Sequence, residues 1–334
     1  MPPTVLVTGA NGFLGRHIVA ELLRRNYNVR ALVRPQNRTT SSALPPLHSL
    51  PIECREGDIG QPNTVAGAAD GCMAIIHAAA LAQVNPARNP AVWAVNDTGT
   101  ETVLQLAQEA KVERFVYVGT ANVFGFGSVS QPGDETRPFS GTRYGLDYMD
   151  SKRAATVRVQ RAVAEWNLPA VLVHPTFMLG PGDAKPTSNA LLLELHRGRL
   201  LGYPPGGKNY VHVRDVAVAT VNALSKGQVG ESYILGNQNL SYREAFGLMA
   251  RVMGVPPARW PIPAAVARAY GAACDLKARW SGQPAQLNSA MVAVANDGHY
   301  FSAQKAIVEL SMPQTALEQA VQEAFDWFKT NHYV

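Results

Sequence analysis

TVLVTGANGFLG, residues Thr4–Gly15, decides how the chain starts. Thr4–Thr8 is a run of β-branched and aliphatic residues that reads as a strand, and it breaks into glycines at Gly9, Gly12 and Gly15. Leu14, Ile18 and Leu22 then recur at helical spacing. A strand that turns through glycines into a helix brings backbone N–H groups to one point, where a dinucleotide's pyrophosphate is held. The G-x-x-G-x-x-G spacing differs from G-x-G-x-x-G, but the need for a sharp turn and a close backbone approach is the same. Gly9, Asn11, Gly12, Phe13, Leu14 and Gly15 are the candidate contacts in this turn.

The pattern repeats outward. Val29–Val33, Ile52–Glu56, Ala74–His77, Phe115–Gly119 and Ala170–His174 read as further strands, with crossover helices at Thr98–Ala110 and Tyr148–Trp166. Apolar strands alternating with helices predict an α/β fold, a doubly wound parallel sheet covered on both faces. After His174 the order changes. Pro175–Pro186 and Gly202–Lys208 read as loops. Ala190–His196, Tyr242–Met253, Pro261–Ala278 and Thr315–Thr330 read as helices, and Ser232–Leu235 as a strand. Residues 1–175 are therefore expected to form the nucleotide-binding core and 176–334 mainly a smaller α/β substrate lobe, with later segments returning to the core.

A chain of 334 residues with 46% hydrophobic and 16% charged residues suits a compact enzyme. The three cysteines, Cys54, Cys72 and Cys274, fit neither a disulfide framework nor a zinc spacing, which suits a reducing compartment. No stretch reads as a signal peptide or membrane span, so a cytoplasmic protein with no membrane partner is expected. The net charge of +5 is local: Arg24, Arg25, Arg30, Arg34 and Arg38 lie between Leu22 and Ile52, where no Asp or Glu occurs. This argues for a phosphate on the cofactor and against a nucleic-acid partner. An acid about 20 residues past the glycines would hold a ribose 2′-hydroxyl. Arg34 stands there instead, with Arg38 as a second candidate, so NADP(H) is expected in preference to NAD(H).

The stretch RYGLDYMDSKRAA places Tyr148 four residues before Lys152, on one helix face. A nearby ammonium lowers a phenol's pKa, which would make Tyr148 an acid–base, and Lys152 can also reach a ribose. Thr120, just past the fifth strand in VYVGTANVFG, offers a hydroxyl to a substrate oxygen. Asp58, followed by Ile59 in EGDIGQP, is placed to accept from an adenine amino group or to cap the next helix. Ala78, Ala79 and Ala80 would let a flat ring lie near the backbone. His77, His174 and His212 read as structural residues, and no metal is expected.

TGANGFLG, HAAA, VNDTGT, VGTANVFG, YMDSK, HPTFMLGPGD and YVHVRDVA, in that order, resemble the extended short-chain dehydrogenase/reductase superfamily over nearly the whole chain. The resemblance implies a Rossmann core with a C-terminal substrate lobe. It implies Tyr148 as acid–base, Lys152 as its modulator and ribose ligand, and Thr120 as partner of the substrate oxygen. Asn96 matches a position near the cofactor, and Pro175 and Thr176 a loop lining the nicotinamide. Gly119-Thr120 stands where the family usually has Ser-Ser, and Arg153-Ala154-Ala155 where many members have Ala-Glu. The expected activity is an NADP(H)-dependent oxidoreductase acting on a ketone, aldehyde or secondary alcohol, as a possible homodimer. The alternatives are a nucleotide-sugar epimerase or dehydratase with bound NAD, for which Lys208 and Arg214 would hold a diphosphate, and a non-catalytic NADP(H)-sensing protein. An aromatic-rich pocket from Phe124, Phe126, Tyr144, Phe177 and Tyr203 is expected at the substrate.

Overall fold

The computed structural model describes residues 2–34, 47–282 and 287–334. Strands β1 (Thr4–Thr8), β2 (Asn28–Val33), β3 (Glu53–Glu56), β4 (Ala74–His77), β5 (Arg114–Val118) and β6 (Ala170–Pro175) form a parallel sheet. Including Ser232–Leu235, the sheet has seven strands, in the order Ser232–Leu235, β6, β5, β4, β1, β2, β3. Val5 lies beside Val29 on one side and Ala74 on the other.

Side chains alternate across each strand, and both faces are buried. Val5 and Val7 pack with Ile18 and Leu22 of α1 (Phe13–Arg24), while Leu6 packs on the opposite side with Leu104 and Val159. Those two residues belong to helices of the other face. The first helix of that face, α2 (Pro90–Trp93), runs through a π-helical turn at Ala94–Thr98 into α3 (Gly99–Glu109). The second is α4 (Asp147–Trp166). β3 (ECRE) is mostly exposed, as suits a charged edge strand. Arg30 ties it to β2 through Glu53 at 2.7 Å.

The second half departs from the sequence expectation in several places. The stretch at 175–186 read as a loop contains β7 (Phe177–Leu179). The stretch at 202–208 contains β8 (Gly202–Tyr203) and the start of β9 (Gly207–His212). Backbone pairing decided these short strands: β7 pairs with β9, and β8 with Trp260–Pro261. After α5 (Ala190–His196) comes a helix the sequence reading lacked, α6 (Val213–Asn222), which packs on α1. Its valines disguise a helical period as strand composition. His212 caps it, its Nδ1 accepting from the Arg214 N–H at 3.0 Å.

The Ser232–Leu235 strand, β10, pairs with β6. β11 (Gln238–Ser241) then pairs antiparallel to β9, and α7 (Tyr242–Met253) follows with a Ser241–Glu244 capping box. Pro261 belongs to β12 (Trp260–Pro261), so the helix expected at 261–278 is α8 (Ala264–Ser281). α9 (Ser289–Asn296), β13 (Gly298–His299), α10 (Gln304–Glu309) and α11 (Leu317–Thr330) complete the chain. A separate apolar core joins Leu192, Tyr210, Phe246, Phe325 and Phe328.

Asn209, fully buried in β9, links these parts. Its amide N donates to Asn239 Oδ1 at 2.9 Å, to Phe301 O at 3.1 Å and to Asn237 O at 3.3 Å. Its amide O accepts from Thr176 Oγ1 at 2.8 Å and from the Asn237 N–H at 2.9 Å.

Candidate active site

The site gathers at the carboxyl ends of the parallel strands. At Gly9 φ is +70°, and a Cβ there would lie 2.7 Å from the Ala79 nitrogen. At Gly15 a Cβ would lie 2.0 Å from the Gly9 oxygen. Neither position accepts a side chain, so the turn after β1 closes against the backbone after β4. A Cβ on Gly12 would meet only the Gly9 oxygen, at 3.1 Å. Gly12 also opens α1 with no side-chain cap. The first-turn N–H groups at Phe13, Leu14 and Gly15 therefore converge where a pyrophosphate fits. Asn11 is exposed at the lip of this turn.

Arg34 follows β2 directly and is exposed. Arg38 lies outside the described residues. Asp58 Oδ1 accepts from the Gly60 N–H at 2.9 Å, and the Asp58 N–H donates to Thr64 Oγ1 at 2.9 Å. That carboxylate thus serves a local turn, while Ile59 is buried beside it in the core. Ala78 and Ala79 are held by β1 through N–H bonds to Thr8 O and Thr8 Oγ1, both 3.2 Å, and Ala80 is exposed.

Asn96 is buried in the π-helical turn. Its Oδ1 accepts from Leu81 N at 2.8 Å, and its Nδ2 donates to Ser151 Oγ at 3.1 Å. It fastens the loop after β4 to the residue before Lys152. Pro175 ends β6, and the Thr176 hydroxyl is committed to Asn209.

Tyr148 and Lys152 share the first turns of α4. The helix start is pinned by Asp147, which accepts from Asn89 N at 2.6 Å and from Arg88 Nη1 at 2.8 Å. Burial raises the Tyr148 phenol above its usual pKa, and a hydrogen bond with Thr120 pulls it back in part. Lys152 is buried, its Nζ donating to Val118 O at 2.8 Å and to Tyr117 Oη at 3.5 Å, and desolvation lowers its pKa to about 7. The ammonium thus rests on the end of β5, and burial sets the direction of the Tyr148 shift. Thr120 is buried and caps the turn Ala121–Val123, its Oγ1 accepting from Asn122 N at 3.4 Å.

A lysine whose folded pKa lies below its unfolded value opposes folding while charged. The unfolded chain binds more protons between about pH 7 and the ordinary lysine pKa. Stability through this group should therefore rise with pH across that window, by at most about 1.4 kcal/mol per pH unit. Denaturant unfolding from pH 6 to pH 10 should show the parent's stability rising relative to that of Lys152→Met.

The histidines keep structural places. His77 bonds Thr8 Oγ1 at 2.7 Å and Thr100 Oγ1 at 3.0 Å, and burial lowers it to about 3. His174 lies 3.3 Å from Ser232 Oγ and edge-on to Phe124 at 4.9 Å, and burial lowers it to about 3. Its ring explains the departure at Gly119, where a Cβ would lie 2.4 Å from His174 Nδ1. Among the described residues no cluster of three or more potential metal ligands occurs.

Of the aromatics expected at the substrate, Phe126 and Tyr144 join an apolar wall with Tyr148, and Val84, Ala290, Ala293 and Val294 complete it. Phe124 packs in another cluster with Ile234, and Phe177 and Tyr203 pack into the core around Tyr210. Lys208 sits over Phe177 at 5.3 Å, and burial lowers its pKa to about 8. Arg214 lies beyond the far end of β9, paired with Glu323 at 2.6 Å. The sequence reading missed His299, which stacks on Phe126 at 4.2 Å and lies 3.1 Å from Asn122 Oδ1 and 3.3 Å from Tyr144 Oη. It also missed α9, whose alanines carry no chemical signature.

A seven-stranded parallel sheet with a glycine turn after β1 defines a doubly wound nucleotide-binding fold. The chain belongs to the NAD dependent epimerase/dehydratase family, whose model matches residues 5–236. It is 29% identical to a Synechocystis sp. protein that carries the name of a dihydroflavonol 4-reductase, over all of this chain and 97% of that one. It is 30% identical to a 4-hydroxy-2-methyl-3-oxo-4-farnesyl-3,4-dihydroquinoline-1-oxide ketoreductase of Stigmatella aurantiaca, over 79% of this chain and 77% of the relative. The solved structure titled gox2253 is 31% identical and superposes with a TM-score of 0.85 over 98% of both chains. The protein is thus an enzyme of a family that uses a nicotinamide cofactor.

Proposed function

We propose that the protein is an NADP(H)-dependent oxidoreductase that reduces a ketone or aldehyde, or oxidises a secondary alcohol. What supports this reading is the hydrogen bond of Tyr148 with Thr120, next to an apolar wall, with Lys152 one helical turn on and its Nζ on the end of β5. Bound NADPH would supply the hydride. In this reading Tyr148, kept protonated by burial, donates its phenolic proton to the substrate oxygen, and Thr120 Oγ1 holds that oxygen. Lys152 supports the phenolate left behind. Gly9, Asn11, Gly12, Phe13, Leu14 and Gly15 cradle the pyrophosphate. Asp58, Ile59, Ala78, Ala79 and Ala80 border the adenine side, and Asn96, Pro175 and Thr176 the nicotinamide side.

The exposed guanidinium of Arg34 at the end of β2 supports NADP(H), and Arg38, outside the described residues, is the second candidate from the sequence. The sugar reading draws on the family's name. It called for Lys208 and Arg214 on one diphosphate, and these stand at opposite ends of β9.

NADPH consumption against a panel of ketones and aldehydes tests the reading directly. Turnover of a nucleotide sugar with tightly held NAD would overturn it. Arg34→Asp should lower kcat/KM for NADPH by at least about tenfold and favour NADH, since a carboxylate repels a 2′-phosphate and accepts from a 2′-hydroxyl. Equal use of both cofactors by the unaltered protein would remove the role given to Arg34.

A further inference from the structure

We propose that helix α8 docks this protein onto an anionic lipid surface. α8 packs one side on α9 at Gly271, where a Cβ would lie 3.0 Å from Val292 and 3.1 Å from Ser289. At about 100° per residue, Val266, Tyr270, Leu276 and Trp280 fall on the opposite, outer side. They are 57%, 62%, 58% and 89% exposed. The outward side of a packed helix is ordinarily polar. Here the outer side carries large apolar side chains instead, and the two aromatic ones are of the kind that settle at a lipid–water boundary.

Charge decides what covers this face. Arg268, Lys277 and Arg279 are exposed on the same helix, and none has an ion pair among the described residues. Its one acid, Asp275, is turned inward and accepts from the Ser289 N–H at 3.2 Å. A second copy docking by the same face would set these cations against their own images. Anionic headgroups complement them, while the apolar side chains enter the acyl boundary. No helix among the described residues is long and apolar enough to cross a membrane, so α8 lies along the surface. The expectation of no membrane partner rested on the lack of a signal peptide and of a spanning stretch, neither of which a helix of this kind needs. α9 carries Ala290, Ala293 and Val294 to the apolar wall at Tyr148. Docking therefore sets that wall beside the bilayer, where an apolar carbonyl compound would dissolve; this clause alone rests on the proposed function.

Flotation of the full-length protein with lipid vesicles tests the docking without reference to catalysis. It should float with vesicles of phosphatidylcholine and phosphatidylglycerol, and at least about tenfold more weakly with phosphatidylcholine alone. Brominated phosphatidylglycerol should quench its tryptophan fluorescence. The triple variant Tyr270→Ser, Leu276→Gln, Trp280→Gln should keep the parent's melting temperature and NADPH affinity and lose at least about tenfold in vesicle partition. Failure of the parent to float with anionic vesicles would overturn the proposal, as would undiminished flotation of the variant. A parent that ignores vesicles but falls from oligomer to monomer on the triple substitution would show that a second copy covers this face, and would overturn it equally.

Discussion

Replacing Tyr148 with phenylalanine should lower kcat by about 10²- to 10⁴-fold, the usual contribution of a positioned general acid. The ring stays, so the apolar wall with Phe126 and Tyr144 keeps its shape. What is lost is the one hydroxyl paired with Thr120 and held protonated by burial. NADPH affinity should hardly change, because the pyrophosphate cradle and Arg34 lie on other elements. Stopped-flow reduction of the best carbonyl substrate, with NADPH binding measured by fluorescence, separates the two quantities. Turnover within a few-fold of the parent would remove Tyr148 from the chemistry and leave the site without a proton donor of suitable placement.

Asn209→Leu should destabilise the protein by about 3 kcal/mol or more. Leucine has asparagine's branched outline, is bulkier, and returns none of its hydrogen bonds. The Asn237 N–H and the carbonyl of Asn237 would each lose the bond they make to this buried amide. Thr176 Oγ1 would retain its bond to Leu235 O at 3.2 Å, and Phe301 O its bond from Asn239 Nδ2 at 3.0 Å, so the damage is bounded. Denaturant unfolding monitored by tryptophan emission should show the midpoint fall. Asn209→Asp, which keeps the acceptor and loses the donors, should also be destabilised. Full stability in the leucine variant would show that the bonds around Asn209 contribute nothing net.

The parallel core was legible because its signal is local. Each strand is a short apolar run, and each crossover helix carries its own period, so β1, β4 and β6 could be placed to within a residue or so. The candidate triad was legible for a similar reason: Tyr148 and Lys152 are one helical turn apart in sequence. The second half resisted because its order is made by pairing between distant segments. Gly207 and Lys208 are extended through their places opposite Ser241, Leu240, Gly298 and His299, none of which is near in sequence. The same holds for His299, which becomes a neighbour of Phe126 and Tyr144 only after the chain has wound past α9. α6 failed for another reason: its valines speak for a strand, and only packing on α1 overrules them.

The contact between Gly119 and His174 limits the order in which this site can change. With the imidazole in place, serine at 119 would put its Cβ inside the ring's van der Waals envelope, so a direct step to the serine usual at that position meets a collision. A smaller side chain at 174 removes the obstacle first, at the cost of a buried void against Phe124. The two positions therefore form an epistatic pair, and recombination that exchanges one without the other yields a misfit from parents that each fold well.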